Sequence, residues 1–277
     1  MSRRVVLGVC AIGVGTLLLS GCDGFQVAST EFSDTTDLAQ KVAAVRIDNG
    51  SGAVRIRQGA SASVKRTVSY RGQNKPGQSH RVDGDTLMLN KCDQNNCSID
   101  YEVTLPVAAK VLGEVGSGEI EVTGMADVGV RSGSGDIRVR DVPGPVTVKV
   151  SSGRAELTNL GQSAVVEAGS GEVVVTGAKG DVTIQARSGG TTATGIEGKA
   201  SIESSSGDVR LDMVTAQSAK VTAQSGAIAV TVPRGQAYKT DVKTSSGGKT
   251  INIDTSMSSN HVLDLEASSG DIQVDYR

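Results

Sequence analysis

From about residue 110 onward, apolar and polar side chains alternate with a period of two in short runs, and each run is broken by a Ser-Gly or Gly-Gly step. The second glycine of that step stands at Gly118, Gly135, Gly153, Gly171, Gly189, Gly207, Gly226, Gly247 and Gly270, with spacings of 17, 18, 18, 18, 18, 19, 21 and 23 residues. Aligning the chain on this glycine puts the apolar residues in columns. Two residues after it stand Ile120, Ile137, Ala155, Val173, Thr191, Val209, Ile228 and, past one slipped repeat, Ile272. Four after it stand Val122, Val139, Leu157, Val175, Ala193, Leu211, Val230, Ile251 and Val274, and five before it Val130, Val148, Val166, Ile184, Ile202, Val221, Val242 and Leu265. A second turn falls in mid-repeat, often at glycine, as at Gly124, Gly144, Gly161, Gly177 and Gly198. The pattern predicts coils of about 18 residues, each made of two short strands with one face inward.

Neither strand of such a coil can bury its apolar face alone, so the coils must stack, strand on strand in parallel, at a rise of about 4.8 Å. The predicted fold is therefore all-β, a parallel β-solenoid, with eight steps from Gly118 to Gly270 giving a rod of roughly 40 Å. A hexapeptide helix also runs 18 residues per coil, but its three-fold internal repeat is not visible here, which favours two or three unequal faces. Val45, Ile47, Gly52, Val54 and Ile56 match the same columns and predict one early coil. A hairpin-rich insert at about 58–110 then interrupts the array, with strand-like runs at Ser63–Tyr70, Thr86–Leu89 and Ser98–Leu105, and is expected to cap the first coils. The Ser-, Thr- and Asp-rich residues 23–40 read as a tether, and the slipped repeats after Gly226 as a frayed end. The resulting division is 1–21, 22–40, 41–110 and 111–277.

Composition narrows the core. Two Phe, four Tyr and no Trp leave Val, Ile, Leu and Ala to fill it, and 35 glycines fit a regular fold with many tight corners. The net charge of −2, without a basic block, argues against nucleic acid as a partner. No cofactor-binding motif is present, and no cofactor is expected.

The first 21 residues read as a signal peptide. Arg3 and Arg4 form a positive start, and the apolar run Val5 to Leu19 is shorter than the roughly 18 apolar residues of a spanning helix. It ends in Leu19-Ser20-Gly21-Cys22, which resembles the lipobox of bacterial lipoproteins. That resemblance implies cleavage before Cys22, a diacylglyceryl group on its sulfur, and a protein anchored to the cell membrane on the extracytoplasmic side. Ser2-Arg3-Arg4 admits twin-Arg export, and Sec export fits equally well.

Cys92 and Cys97 remain as an even pair. In an oxidising compartment their spacing reads as a disulfide closing a hairpin tip, whereas two thiols with no histidine nearby make a poor metal cage. His80 and His261 lie in polar surroundings and read as solvated loop residues. No Ser/His/Asp arrangement is visible. The remaining candidate chemistry is a file of acids directly after the corner glycine, Glu119, Asp136, Glu172, Asp208 and Asp271. It could supply carboxylates to a glycosidase or oxygens to calcium, yet it is interrupted by Arg154, Gly190, Ala227 and Gly248, and one carboxylate per coil falls short of six to eight calcium ligands. Recurrence once per coil points to turn chemistry. Outward residues such as Arg138, Arg140, Lys149 and Gln185 are mixed in character and read as a solvated face.

The unit Ser-Gly-(Asp/Glu)-(Ile/Val)-x-Val, as in Ser134–Val139 and Ser206–Leu211, resembles the bacterial "putative adhesin" repeat family, a domain of unknown function similar to adhesin-head β-solenoids. The resemblance covers about residues 40–277, and Tyr101–Pro106 also fits it. It implies the fold and says almost nothing about a reaction. The sequence thus points to a non-enzymatic, lipid-anchored envelope protein with a binding or structural role toward an unidentified protein or polysaccharide. The alternatives are a carbohydrate-active β-helix enzyme and a self-assembling scaffold.

Overall fold

The period-two alternation turns one face of every strand inward, and the computed structural model, which describes residues 29–277, closes those faces on each other as two sheets. One sheet has 13 strands and the other 12. We call them sheets A and B. Each coil rises in sheet B, turns at the Ser-Gly corner and returns in sheet A, as in Val146–Ser152 followed by Ala155–Leu160. Coil pairs with coil in parallel and in register, so that Ile120, Ile137, Ala155, Val173, Thr191, Val209, Ile228 and Ile272 form one buried file. The expected parallel solenoid has two faces, and its inward columns are as the periodicity predicts except in the outermost coil, where Ile251 is exposed and Val242 half-buried because only one neighbouring coil covers them. Each fully buried valine or leucine in these files contributes about 1.5–3 kcal/mol through removal from water. The core is continuous from the first coil to the last because every coil adds to the same files.

The corner explains why glycine recurs. From Gly118 to Gly270 the corner glycines have φ between +113° and +146°, and a Cβ on any of them would lie 2.0–2.5 Å from the carbonyl oxygen of the glycine in the neighbouring coil. Backbone angle and close stacking thus each exclude a side chain. A second left-handed file runs through sheet A at Gly124, Asp141, Asn159, Gly177 and Gly195, with φ of 56–70°. Asp and Asn tolerate this region, and Asn159 Nδ2 donates to Asp141 Oδ1 at 2.7 Å.

Stacking order departs from chain order at both ends. The coil of Thr86–Asn90 and Cys97–Leu105 lies outside the earlier coil of Ala44–Ser51 and Val54–Gln58. The predicted insert is therefore partly a coil in its own right. At the far end the last coil, Val262–Ser269 and Ile272–Tyr276, slips between the Gly226 coil and the coil of Lys239–Ser246 and Lys249–Ile251. The end read as frayed is instead ordered, and the eighth step from Gly118 ends at Gly247, whose Cβ position faces the Gly270 carbonyl at 2.2 Å. Apart from the antiparallel strands at the N-terminal end, two in sheet A and one in sheet B, eleven parallel rungs remain in each sheet. Ten steps between them make a rod of about 48 Å.

The segment read as a tether is corrected in part. Thr30–Asp37 is a strand, paired antiparallel with Ser63–Tyr70, which in turn pairs antiparallel with Cys97–Leu105. Its polar sequence suits an edge that packs on one side only, and Phe32 supplies the inward contact, edge-on to Tyr70 with ring centroids 6.1 Å apart. The hairpin assignment around the cysteines is also corrected. Cys92 and Cys97 are joined by a disulfide, but Thr86–Asn90 belongs to sheet B and Cys97–Leu105 to sheet A. The bridge closes a corner loop where other coils carry Ser-Gly, and the hairpin is that of His80–Asp83 with Thr86–Asn90.

Candidate functional site

The corner acids do structural work. Asp136 Oδ1 accepts the Arg154 N–H at 2.9 Å, Asp208 Oδ1 that of Ala227 at 2.9 Å, and Asp271 Oδ1 that of Gly248 at 2.7 Å. Three of the four residues that interrupt the file, Arg154, Ala227 and Gly248, are thus its hydrogen-bond donors, one coil away, whereas Gly190 accepts the Val173 N–H through its carbonyl. Asp100 does the same for Ala53 at 2.7 Å, and Asp181 repeats it at the other corner for Lys199 at 2.8 Å. Glu119 pairs with Arg55 at 3.1 Å and with Arg138, and Glu172 with Arg154 at 2.8 Å. Arg138 and Arg140 extend this into a lattice with Glu121 and Glu156 over the outer face of sheet A. These pairs are part-exposed, so each contributes at most about 1 kcal/mol. Among the described residues no group of three or more His, Cys, Asp or Glu is placed to hold a metal ion.

A second polar group went unread in the sequence. The run Ser63–Tyr70 alternates, and the alternation puts Arg66 inward between Val64 and Val68. Its guanidinium grips Asp34 with Nε at 2.7 Å and Nη2 at 2.8 Å, and Nη1 donates to the Gly77 carbonyl at 2.6 Å and Ser79 Oγ at 3.0 Å. The Tyr101 hydroxyl lies 2.6 Å from Ser79 Oγ and 2.7 Å from the Asn90 carbonyl. Arg66 holds the Asp34 carboxyl below the usual carboxylate range, chiefly by hydrogen bonding, and burial pushes the Tyr101 phenol up to about 12. The Arg66 guanidinium is itself raised by its bond to Asp34.

His80 corrects the loop assignment. It is buried in His80–Asp83 beside this group, with neither ring nitrogen hydrogen-bonded. Burial and then the Arg66 charge lower its pKa. His261 is half-buried, its ring 5.9 Å from that of Tyr238. Neither His80 nitrogen hydrogen-bonds Ser79, whose Oγ instead accepts from Arg66 Nη1 and the Tyr101 hydroxyl. The group is a polar plug across the N-terminal end of the core, where a further coil would otherwise stack.

The open surface lies on the other side. The outward residues of sheet B place Lys149, Glu167, Gln185, Glu203 and Thr222 in one file, one per coil, with Ser151, Arg187, Ser205 and Gln224 beside it. They line a shallow depression of about 620 Å³. A second of about 890 Å³ shares Lys149 and Glu167 and continues past Arg131, Leu112 and Glu114 to Arg46 and Asp48. A third, of about 410 Å³, is lined by Val182, Ala200, Ala219 and Val262. Lys149 Nζ meets Glu167 Oε2 at 2.5 Å, and Leu112 and Val165 are exposed on the same face. Of the outward residues expected to form a solvated face, Arg138 and Arg140 lie on sheet A, while Lys149 and Gln185 lie on sheet B in a trough of successive depressions lined by hydroxyl, amide and paired charge. Cys22 and its neighbours Leu19, Ser20 and Gly21 lie outside the described residues.

Solved structures similar to this chain include three of very low identity. A "putative adhesin" from Parabacteroides distasonis is 14% identical, covering 90% of this chain and 97% of its own, with a TM-score of 0.43. A "putative adhesin" from Bacteroides fragilis is 12% identical over 92% of this chain and 100% of its own, with a TM-score of 0.39. A "putative cell adhesion protein" from Clostridium sporogenes is 11% identical over 90% and 100%, with a TM-score of 0.28. No curated protein matches this chain. The sequence does match the profile of the Toastrack DUF4097 family over residues 42–275, from the first coil to the last strand, and the chain belongs to that family.

Proposed function

We propose that the protein is an exported lipoprotein, held to the cell membrane by diacylglyceryl-Cys22, whose solenoid is a non-enzymatic, adhesin-like binding rod. The observation that carries this reading is the trough of sheet B. Its two main depressions follow one another over many coils, from Arg46 to Gln224, and meet at the Lys149–Glu167 pair; the outward file offers hydrogen-bonding groups at about 4.8 Å intervals to an extended envelope polymer, protein or polysaccharide. Its groups are repeated along the rod and none is set apart in a cleft, which suits a binding surface better than a reaction centre. The corner acids support the non-enzymatic reading, since Asp136, Asp208 and Asp271 are committed to backbone N–H groups.

The anchor is tested in cells. Cys22→Ala should abolish palmitate labelling and release the chain from membranes or leave it unprocessed. Unchanged labelling and membrane retention would refute the anchor. Turnover of an envelope polysaccharide that is lost in Asp136→Asn or Asp208→Asn would overturn the non-enzymatic reading.

A further inference from the structure

The two ends of the rod differ. The N-terminal end is closed by antiparallel strands and the Arg66 plug, whereas at the C-terminal end Lys239–Ser246 is the last strand of sheet B. Inward residues of sheet B send their N–H groups toward the C-terminal end, as Val128 does to Pro145 and Val146 to Ser163. In the last strand the N–H groups of the corresponding residues, Thr240, Val242 and Thr244, therefore point out along the rod axis, with no further strand among the described residues beyond them. The segment around Thr255 already covers Tyr238, which confines the open edge to Thr240–Thr244.

That edge reads Thr-Asp-Val-Lys-Thr, and it is self-complementary when reversed. We propose that it pairs with the same edge of a second copy, antiparallel about Val242, to form a two-fold symmetric dimer joined end to end at the C-terminal coils. Thr240 then faces the partner copy's Thr244, and Val242 the partner's Val242, as hydrogen-bonded pairs with both N–H and C=O groups directed at the interface. Asp241 and Lys243 project from the outer face and meet the partner's Lys243 and Asp241 in the closer, non-hydrogen-bonded pairs. The contact is isologous, so it closes at two copies, and the plugged N-terminal ends leave no route to a filament. Ile251 and Met257, exposed near the same end, gain cover. Lys249 guards the edge in the free chain: its Nζ donates to the Val242 carbonyl at 3.0 Å, and pairing has to displace it.

Sedimentation of the full chain in detergent micelles tests the pairing. The wild type should show a concentration-dependent monomer–dimer equilibrium. Asp241→Lys or Lys243→Asp alone sets two like-charge pairs across the axis and should weaken association about tenfold. The double exchange Asp241→Lys with Lys243→Asp restores both pairs and should restore the dimer, which separates pairing from misfolding. Lys249→Ala should strengthen it, since the guarding ammonium is gone. A chain that stays monomeric at every concentration, an assembly larger than two, or a dimer indifferent to the single exchanges would each overturn the proposal.

Discussion

Arg66 and His80 show how far a single residue's setting can differ from its sequence surroundings. His80 stands between Ser79 and Arg81 and near Gly77, company that suggests solvent. The chain folds the Arg66 guanidinium beneath this stretch, and His80 becomes buried. Its pKa is lowered from the ordinary 6.5, so on acidification the unfolded chain takes up a proton before the folded one does. Stability should therefore fall as pH drops below about 6.5. Asp34, held below its ordinary value by Arg66, acts in the same direction at lower pH, its contribution being lost as pH falls through the folded value. Thermal melts between pH 7.5 and 5.5 should show the decline in the wild type and a flatter profile in His80→Leu. Equal slopes in the two would contradict a buried, neutral His80. Arg66 itself was legible, since Val64, Arg66, Val68 and Tyr70 share one face of an alternating strand. What the chain does not display locally is the partner, Asp34, which lies 32 residues away.

At the level of the element, the coil is the unit the periodicity reveals. Columns two and four residues after the corner glycine correspond to strand register in sheet A because a parallel ladder without shifts preserves spacing from the corner. Deleting Arg154–Gly171 removes one coil and keeps every file, so the protein should fold with a rod shorter by about 4.8 Å and lose one coil's share of stability. Deleting Arg154–Gln162 removes half a coil and strands one apolar face in water. Circular dichroism and melting of the two variants provide the check, and a nine-residue deletion as stable as the other would contradict the two-strand coil. Spacings of 21 and 23 near the C-terminus mark the place where order breaks, but not that the final coil tucks inside its predecessor. That choice depends on which coil presents the better outer face, and Ile251, exposed in the outermost coil, shares its column with the buried Val274. The strand Thr30–Asp37 was hidden for a related reason, because an edge strand buries little and its sequence stays polar.

Over the described residues the protein is a rod with one closed end, one open end and a trough of successive depressions along sheet B. The closed end carries Thr30–Asp37, the first described strand, and lies opposite the proposed dimer edge. In the proposed dimer, paired rods of eleven rungs each would span about 100 Å. The trough was only half legible in the sequence. Periodicity identifies Lys149 and Gln185 as outward, but the depression depends on how successive coils shape the sheet, and no local motif encodes it.

The binding reading is tested most directly by retention of residues 23–277, free of acyl chains, on washed envelopes of the source cell. Tryptophan can be placed in the trough with Gln185→Trp and Glu203→Trp, or on the opposite sheet with Thr176→Trp and Thr194→Trp; both pairs lie on outward positions. The account predicts that the unmodified chain is retained, that the trough pair lowers retention at least about tenfold, a change of about 1.4 kcal/mol, and that the opposite pair leaves it unchanged. No retention of the unmodified chain, or equal loss with both pairs, would contradict it.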